Sequence, residues 1–197
     1  MKNVQEKKIS SAPDIVQLEA ELSRVRYHNR YRRVVYSTVY GLIVVAAVAV
    51  LVATLWMPVL EIHGSSMTPT LEEGEIVISR KGSGFKRGDV VAFYFGNRLL
   101  VKRFIAGPGE WVDIEDDGTV AVNGVRIEEP YVSEKSLGEC DLTFPYQVPD
   151  GKYFLMGDHR TTSIDSRTST VGCIETDQIV GILVFRVWPL PRLGTIS

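Results

Sequence analysis

The amino-acid sequence predicts a mainly β protein: a coiled antiparallel β-sheet domain preceded by a single N-terminal transmembrane helix. Two observations carry that reading. Residues 34–60 hold no charged side chain, a run of 27. Beyond it the chain breaks into short β-branched and aromatic runs separated by turn dipeptides, with no convincing helix of ordinary length. The averages conceal this division. A chain of 197 residues with 45% apolar and 23% charged residues and a net charge of −2 has the composition of an ordinary folded protein. Its mean hydropathy of +0.04 excludes a multi-span transporter, and its charge balance argues against a nucleic-acid partner. Two cysteines exclude a disulfide scaffold, and three histidines (His28, His63 and His159) offer little for a metal site.

Residues 1–33 are a basic segment expected on the cytoplasmic side. Ser11, Ala12, Pro13 and Asp14 resemble a capping box with an early proline. Ile15, Leu18, Leu22 and Val25 follow at 3,4,3 spacing, a short apolar seam. Two heptads are too few to hold a coiled coil alone. The expectation is a solvated amphipathic helix and a monomer, with this seam the route by which a dimer would form.

Residues 34–58 are the expected transmembrane helix. Its apolar heart, 41–55, lies between Tyr36 and Tyr40 at one end and Trp56 at the other, and Pro58 and Glu61 close it. A helix over 36–56 would be roughly 31 Å long, matching a bilayer core of about 30 Å with aromatic residues at both interfaces. A cleaved signal peptide would carry its A-x-A site after the apolar run. Ala47-Val48-Ala49 lies inside the run, behind more than 30 residues, so the segment reads as an uncleaved anchor. Residues 1–33 carry eight Lys or Arg against four Asp or Glu, whereas 34–197 carry 14 against 20. The positive-inside rule then places the N-terminus in the cytoplasm and residues 59–197 outside it.

In that external domain, strands are expected at 75–79, 90–94, 99–105, 111–114, 119–122, 125–127, 153–156 and 179–187. The last is nearly all apolar and should be central. Asp117-Gly118 and Asn123-Gly124 are tight-turn dipeptides that fold 111–127 into a small meander. Residues 131–150 show no period and read as a loop-rich insertion.

Three segments concentrate reactive side chains. The first is the turn His63-Gly64-Ser65-Ser66-Met67-Thr68-Pro69-Thr70-Leu71, with Ser66 only ten residues beyond Trp56. Even a fully extended chain keeps Ser66 within about 33–36 Å of the membrane boundary. The second is the strand 99–105, where Lys102 shares a face with Leu100 and Phe104. A lysine there either snorkels to water or, desolvated, loses its proton near neutrality and becomes a base. The third, 156–167, packs two acids, two arginines and several hydroxyls into twelve residues. Either a solvated loop or the supporting shell of a buried site would look like this.

Together these blocks resemble the bacterial type I signal peptidases, membrane-anchored Ser/Lys proteases. The resemblance runs in order from Ile62 to Arg167. It comprises Gly64-x-Ser66-Met67-x-Pro69-Thr70-Leu71, Arg87-Gly88-Asp89-Val90-Val91, Val101-Lys102-Arg103-x-x-x-Gly107-Pro108-Gly109-Glu110, and Gly157-Asp158-x-Arg160-x-x-Ser163-x-Asp165-Ser166-Arg167. The terminal 184–189 also looks like the family. The resemblance implies Ser66 as nucleophile, Lys102 as general base, the Ser66 backbone N–H as oxyanion donor and Ser163 as the group orienting the amine. It implies Asp165 with Arg167, and Asp158 with Arg160, as supporting residues. Some members add a hydroxyl two residues before the nucleophile; here Gly64 occupies that position. His159, Thr161 and Thr162 also depart from the family pattern.

The implied substrates are exported preproteins whose signal peptides lie extended between the strand before Ser66 and the Lys102 strand. Small residues at the first and third positions before the cut would sit among Leu60, Ile62, Met67, Leu71, Leu100 and Val101. The lipid bilayer is the other implied partner, with Trp188, Pro189 and Leu190 as a candidate apolar edge, and the chemistry calls for no cofactor or metal. Two rivals remain at this level. One is a Ser-His-Asp hydrolase using Ser66 with His63 or His159 and Asp158 or Asp165; the other is an anchored β domain that only binds a partner. An external location also permits a disulfide between Cys140 and Cys173.

Overall fold

The computed structural model of the chain describes residues 15–82 and 84–196, in two compact units divided between Leu51 and Val52. Residues 11–14, the expected capping box, lie outside the described residues. The helix α1 runs Ile15–Trp56. It joins the amphipathic segment and the apolar run that the sequence separated. Residues 15–56 contain no proline and one glycine, Gly41, so nothing interrupts the backbone ladder. Within it, Arg24–Trp56 is long and apolar enough to cross a membrane. Thr38 Oγ1 donates to the Val34 carbonyl at 2.9 Å, satisfying inside the helix a hydroxyl that lipid would not. Met57 N still donates to the Ala53 carbonyl, but Pro58 has no N–H to continue and the helix stops.

Beyond the end of α1, the second unit is built among the described residues from strands and two single-turn 3-10 helices (Thr176–Gln178 and Leu190–Arg192): β1 (Val59–Glu61), β2 (Ile76–Arg80), β3 (Val90–Phe95), β4 (Arg98–Ala106), β5 (Trp111–Ile114), β6 (Val120–Val122), β7 (Val125–Arg126), β8 (Tyr146–Gln147), β9 (Lys152–Met156), β10 (Ile174–Glu175), β11 (Ile179–Trp188) and β12 (Gly194–Thr195). They pair antiparallel in two sheets. The larger has the order β1-β2-β11-β3-β4-β9-β10 with β12 beside β11, and the smaller the order β7-β6-β5-β8. The long apolar β11 lies between β2 and β3, the central place its composition demands. Asn123 and Gly124 take φ of 52° and 78°, the left-handed pair that a two-residue hairpin requires.

Alternation divides the larger sheet. Val90, Ala92, Val77 and Leu183 pack with Ile62, Met67 and Leu71. Val91, Phe93, Ile182 and Leu155 pack with Phe104 and Ile174 in a second cluster. A third cluster, from Ile105 and Phe154 to Val112 and Val120, joins the two sheets.

The topology leaves two strand edges open. β1 ends the larger sheet and pairs only with β2. β4 pairs with β3 from Arg98 to Arg103, but with β9 only from Arg103 to Ala106. Its edge over residues 98–102 is therefore unpaired. A cleft of about 540 Å³ is lined by Leu60, Ile62, Ser66 and Met67 on one side and by residues 98–102 on the other.

Candidate active site

One wall of the cleft carries a buried amine. Lys102 is 4% exposed on β4, and its Nζ lies 2.9 Å from Ser163 Oγ. Loss of water lowers its pKa from 10.5 to about 8; the Arg167 charge pushes the same way, while the carboxylates of Asp165 and Asp158 oppose it. An ordinary lysine would be almost wholly protonated at neutral pH, whereas this one is within a unit of its midpoint.

Ser163 is held in turn by the loop after β9. Its N–H donates to the His159 carbonyl at 3.1 Å. Two residues on, Asp165 receives Arg167 Nε on one oxygen and Arg167 Nη2 on the other, both at 2.9 Å, and Gly157 N at 2.9 Å. Burial alone would raise this carboxyl, but the fork from Arg167 outweighs it and holds the pKa below the usual carboxylate range. Arg167 spends its remaining donors on the carbonyls of Leu137, Arg160 and Ser163. A loop with this many fixed points presents the Ser163 hydroxyl in one place.

The other wall is a tight turn after β1. Ser66 is half-buried in it, open to the cleft. Its carbonyl accepts the His159 N–H at 3.1 Å, and Thr68 Oγ1 donates to the Ser65 carbonyl. Gly157 lies where the two walls meet. A Cβ there would stand 2.6 Å from the Ser66 carbonyl oxygen and collide with the Ser163 hydroxyl. Only glycine lets the turn and the loop approach this closely.

Asp165 and Arg167 pair with each other, whereas Asp158 and Arg160, also buried, pair with residues outside the 157–167 loop. Asp158 takes a two-point bond from Arg103 at 2.8 and 2.7 Å and a bond from Thr70 Oγ1 at 2.5 Å. The Tyr131 ring caps that guanidinium, 3.7 Å from centroid to Cζ. Arg160 pairs with Glu129 at 2.5 and 3.2 Å. Arg103, Glu129 and Tyr131 had no role in the sequence reading. For Arg103 a signal existed: it faces away from Lys102 on a strand buried on both sides.

The expected pocket residues Leu60, Ile62, Met67, Leu100 and Val101 all line the cleft; Leu71 does not. It is wholly buried in the core cluster beneath the turn, because the turn folds Leu71 N back onto the Met67 carbonyl. His159 makes its ring contact with Thr162 Oγ1 at 3.0 Å, and among the described residues no hydrogen bond joins the ring of either nearby histidine to the Ser66 hydroxyl. Cys140 and Cys173 are free thiols rather than a disulfide; the Cys173 thiol lies 3.9 Å from Tyr146 Oη.

A strand-lined cleft with a hydroxyl on one wall and a deprotonatable amine on the other defines a class, the serine endopeptidases. The comparisons give the family. Residues 34–188 match the family described as signal peptidase, peptidase S26, and the chain belongs to it. It is 40% identical over 146 residues to signal peptidase I T of Bacillus subtilis, covering 67% of this chain and 74% of that one. It is 36% identical over 175 residues to a signal peptidase I of Bacillus licheniformis, covering 80% and 91%. A crystal structure of a signal peptidase I from Enterococcus faecalis aligns with 51% of this chain and 97% of its own, at 31% identity and a TM-score of 0.42.

Proposed function

We propose that this protein removes N-terminal signal peptides from exported preproteins with a Ser66/Lys102 dyad. The observation that carries the proposal is the Lys102 amine, buried and aligned by Ser163, in the same cleft as Ser66. Neutral Lys102 takes the Ser66 proton as Oγ bonds to the scissile carbonyl carbon. The oxyanion that forms faces the Ser66 N–H, a donor of the kind worth about 3–4 kcal/mol. Collapse breaks the C–N bond, and the Lys102 ammonium gives its proton to the leaving amine. Water then attacks the acyl-enzyme, with Lys102 again as base.

The two open edges explain why the substrate is an extended peptide. A segment laid between β1 and residues 98–102 of β4 would pair with both. Leu60, Ile62 and Val101 pack with one core cluster, so alternate substrate side chains would point at them. Small residues one and three positions before the cut would seat their side chains against that face. Asp158, Arg160, Asp165 and Arg167 hold the loop.

The helix Arg24–Trp56 anchors the chain, with the basic residues 24–33 on the cytoplasmic side and the β domain outside. At 42 residues α1 would be roughly 63 Å long, about twice a bilayer core, which leaves its basic end in water. Trp188 and Leu190, both exposed, are an apolar edge suited to lipid. The working form is a monomer.

The test is cleavage of a preprotein in detergent, with the new N-terminus sequenced. Ser66→Ala and Lys102→Ala should abolish the cut and His159→Ala should leave it. Activity in Lys102→Ala lost only in His159→Ala would sink the dyad.

A further inference from the structure

The mechanism leaves one buried acid unused. Glu75 is 2% exposed immediately before β2 and is shared by two arginines near the C-terminal end of the chain. Arg186 Nε lies 2.8 Å from its Oε2, and Arg192 Nη1 2.8 Å from its Oε1. Arg192 Nη1 also meets Glu72 at 2.8 Å. Both guanidiniums then reach past the acid to the Ser66 turn. Arg186 Nη2 donates to the Thr70 carbonyl at 2.6 Å, and Arg192 Nη2 to the Pro69 carbonyl at 3.1 Å.

Thr70 is thereby fixed at both ends. Its hydroxyl lies in the Asp158–Arg103 pair, and its carbonyl is held by Arg186. Three residues separate this anchor from Ser66. The turn near Ser66 is otherwise held by Thr68, whose N–H and Oγ1 both donate to the Ser65 carbonyl, by Leu71 N–H on the Met67 carbonyl, and by His159 N–H on the Ser66 carbonyl. We infer that Arg186 and Arg192, aligned by Glu75, are positioning residues that set the Ser66 hydroxyl for attack. This inference rests on the Ser66/Lys102 reading above. Lys102 has its own independent support in Ser163 and Asp165, so the clamp acts on one half of the dyad only. Displacing a reacting atom by about 1 Å costs about 10²-fold in rate, and loss of one clamp is expected to cost about 10-fold in kcat.

The full-length protein carrying Arg186→Gln, Arg186→Lys or Glu75→Gln is assayed on one preprotein across pH. A phosphonate or β-lactam serine probe counts the folded, labelled fraction. Arg126→Gln, which breaks the exposed pair with Glu115, is the control. The expected result is a roughly 10-fold fall in kcat per folded molecule for Arg186→Gln and Glu75→Gln. KM and the pH midpoint should be unchanged, with partial recovery in Arg186→Lys. The inference is overturned if kcat per folded molecule is unchanged, if the loss appears in KM, or if the pH midpoint moves. Should Ser66→Ala remain active in the same assay, the dyad itself fails; should it be dead while the Arg186 variants are normal, only the clamp fails.

Discussion

The two walls of the cleft are built by opposite means. The Lys102 wall is buried and surrounded by charge, while the Ser66 wall is a half-exposed turn held mainly through its own carbonyl oxygens. Among the described residues of the β domain eight charged side chains are buried: Glu75, Lys102, Arg103, Glu129, Asp158, Arg160, Asp165 and Arg167. Seven belong to ion pairs. Lys102 is the exception, since its nearest partner is a neutral hydroxyl. An unpaired buried ammonium is costly, and the site keeps it because a neutral amine is the product of that cost. The proposed nucleophile, Ser66, needs access rather than burial, and it lies in a half-exposed turn.

Removing the amine breaks the contrast most completely. Lys102→Met should lower kcat/KM by about 10⁴-fold or more. It should also stabilise the fold. The folded pKa of about 8 lies below the ordinary 10.5, so below pH 8 the native state carries a desolvated charge that the unfolded chain hydrates freely. That penalty is about 3 kcal/mol, and it disappears as pH rises from 8 to 10.5 because the unfolded chain there binds more protons. Urea midpoints at pH 7 and pH 10 should show the wild type gaining stability with pH and the methionine variant lacking that gain.

Closing the space between the walls comes next. In Gly157→Ala the new methyl must displace either the Ser66 carbonyl or Ser163, and activity should fall by about 10²-fold. An unchanged rate would show that the walls do not depend on each other's placement. Unbalancing the supporting pair should be felt mainly as stability. Asp165→Asn leaves Arg167 buried beside a neutral amide and should cost about 3–5 kcal/mol. In the molecules that fold, the activity midpoint should move down, since Asp165 is the main group raising the Lys102 pKa. The smallest effect belongs to the exposed pair. Arg126→Ala should change stability by less than about 1 kcal/mol in thermal unfolding, because water screens that contact.

The contrast also explains what could be read from sequence. Lys102 amid Leu99, Leu100, Val101 and Phe104 leaves snorkelling and a desolvated base both open, and only the resemblance of the surrounding motifs points to the second; the apolar run stands out because 27 uncharged residues have few other uses. Central β11 announced itself by composition. What escaped were contacts between distant segments. Glu129 meets Arg160 across 31 residues, and Thr70 meets Arg186 across 116; neither partner is marked by any local pattern. β1 has three residues and becomes a strand only by pairing with β2. The resemblance implies Leu71 as pocket lining, and the backward fold of the turn buries it instead.

The central claim, that a desolvated lysine is the base for Ser66, is tested most directly by the pH dependence of kcat/KM, which reports the free enzyme's essential groups. Preprotein cleavage by the wild type should rise with pH to a plateau, half-maximal near pH 8 and about one tenth of maximal at pH 7. The same profile should appear in His159→Ala. A half-maximum near 6.5 that vanishes in His159→Ala, or one near 10.5, would contradict it.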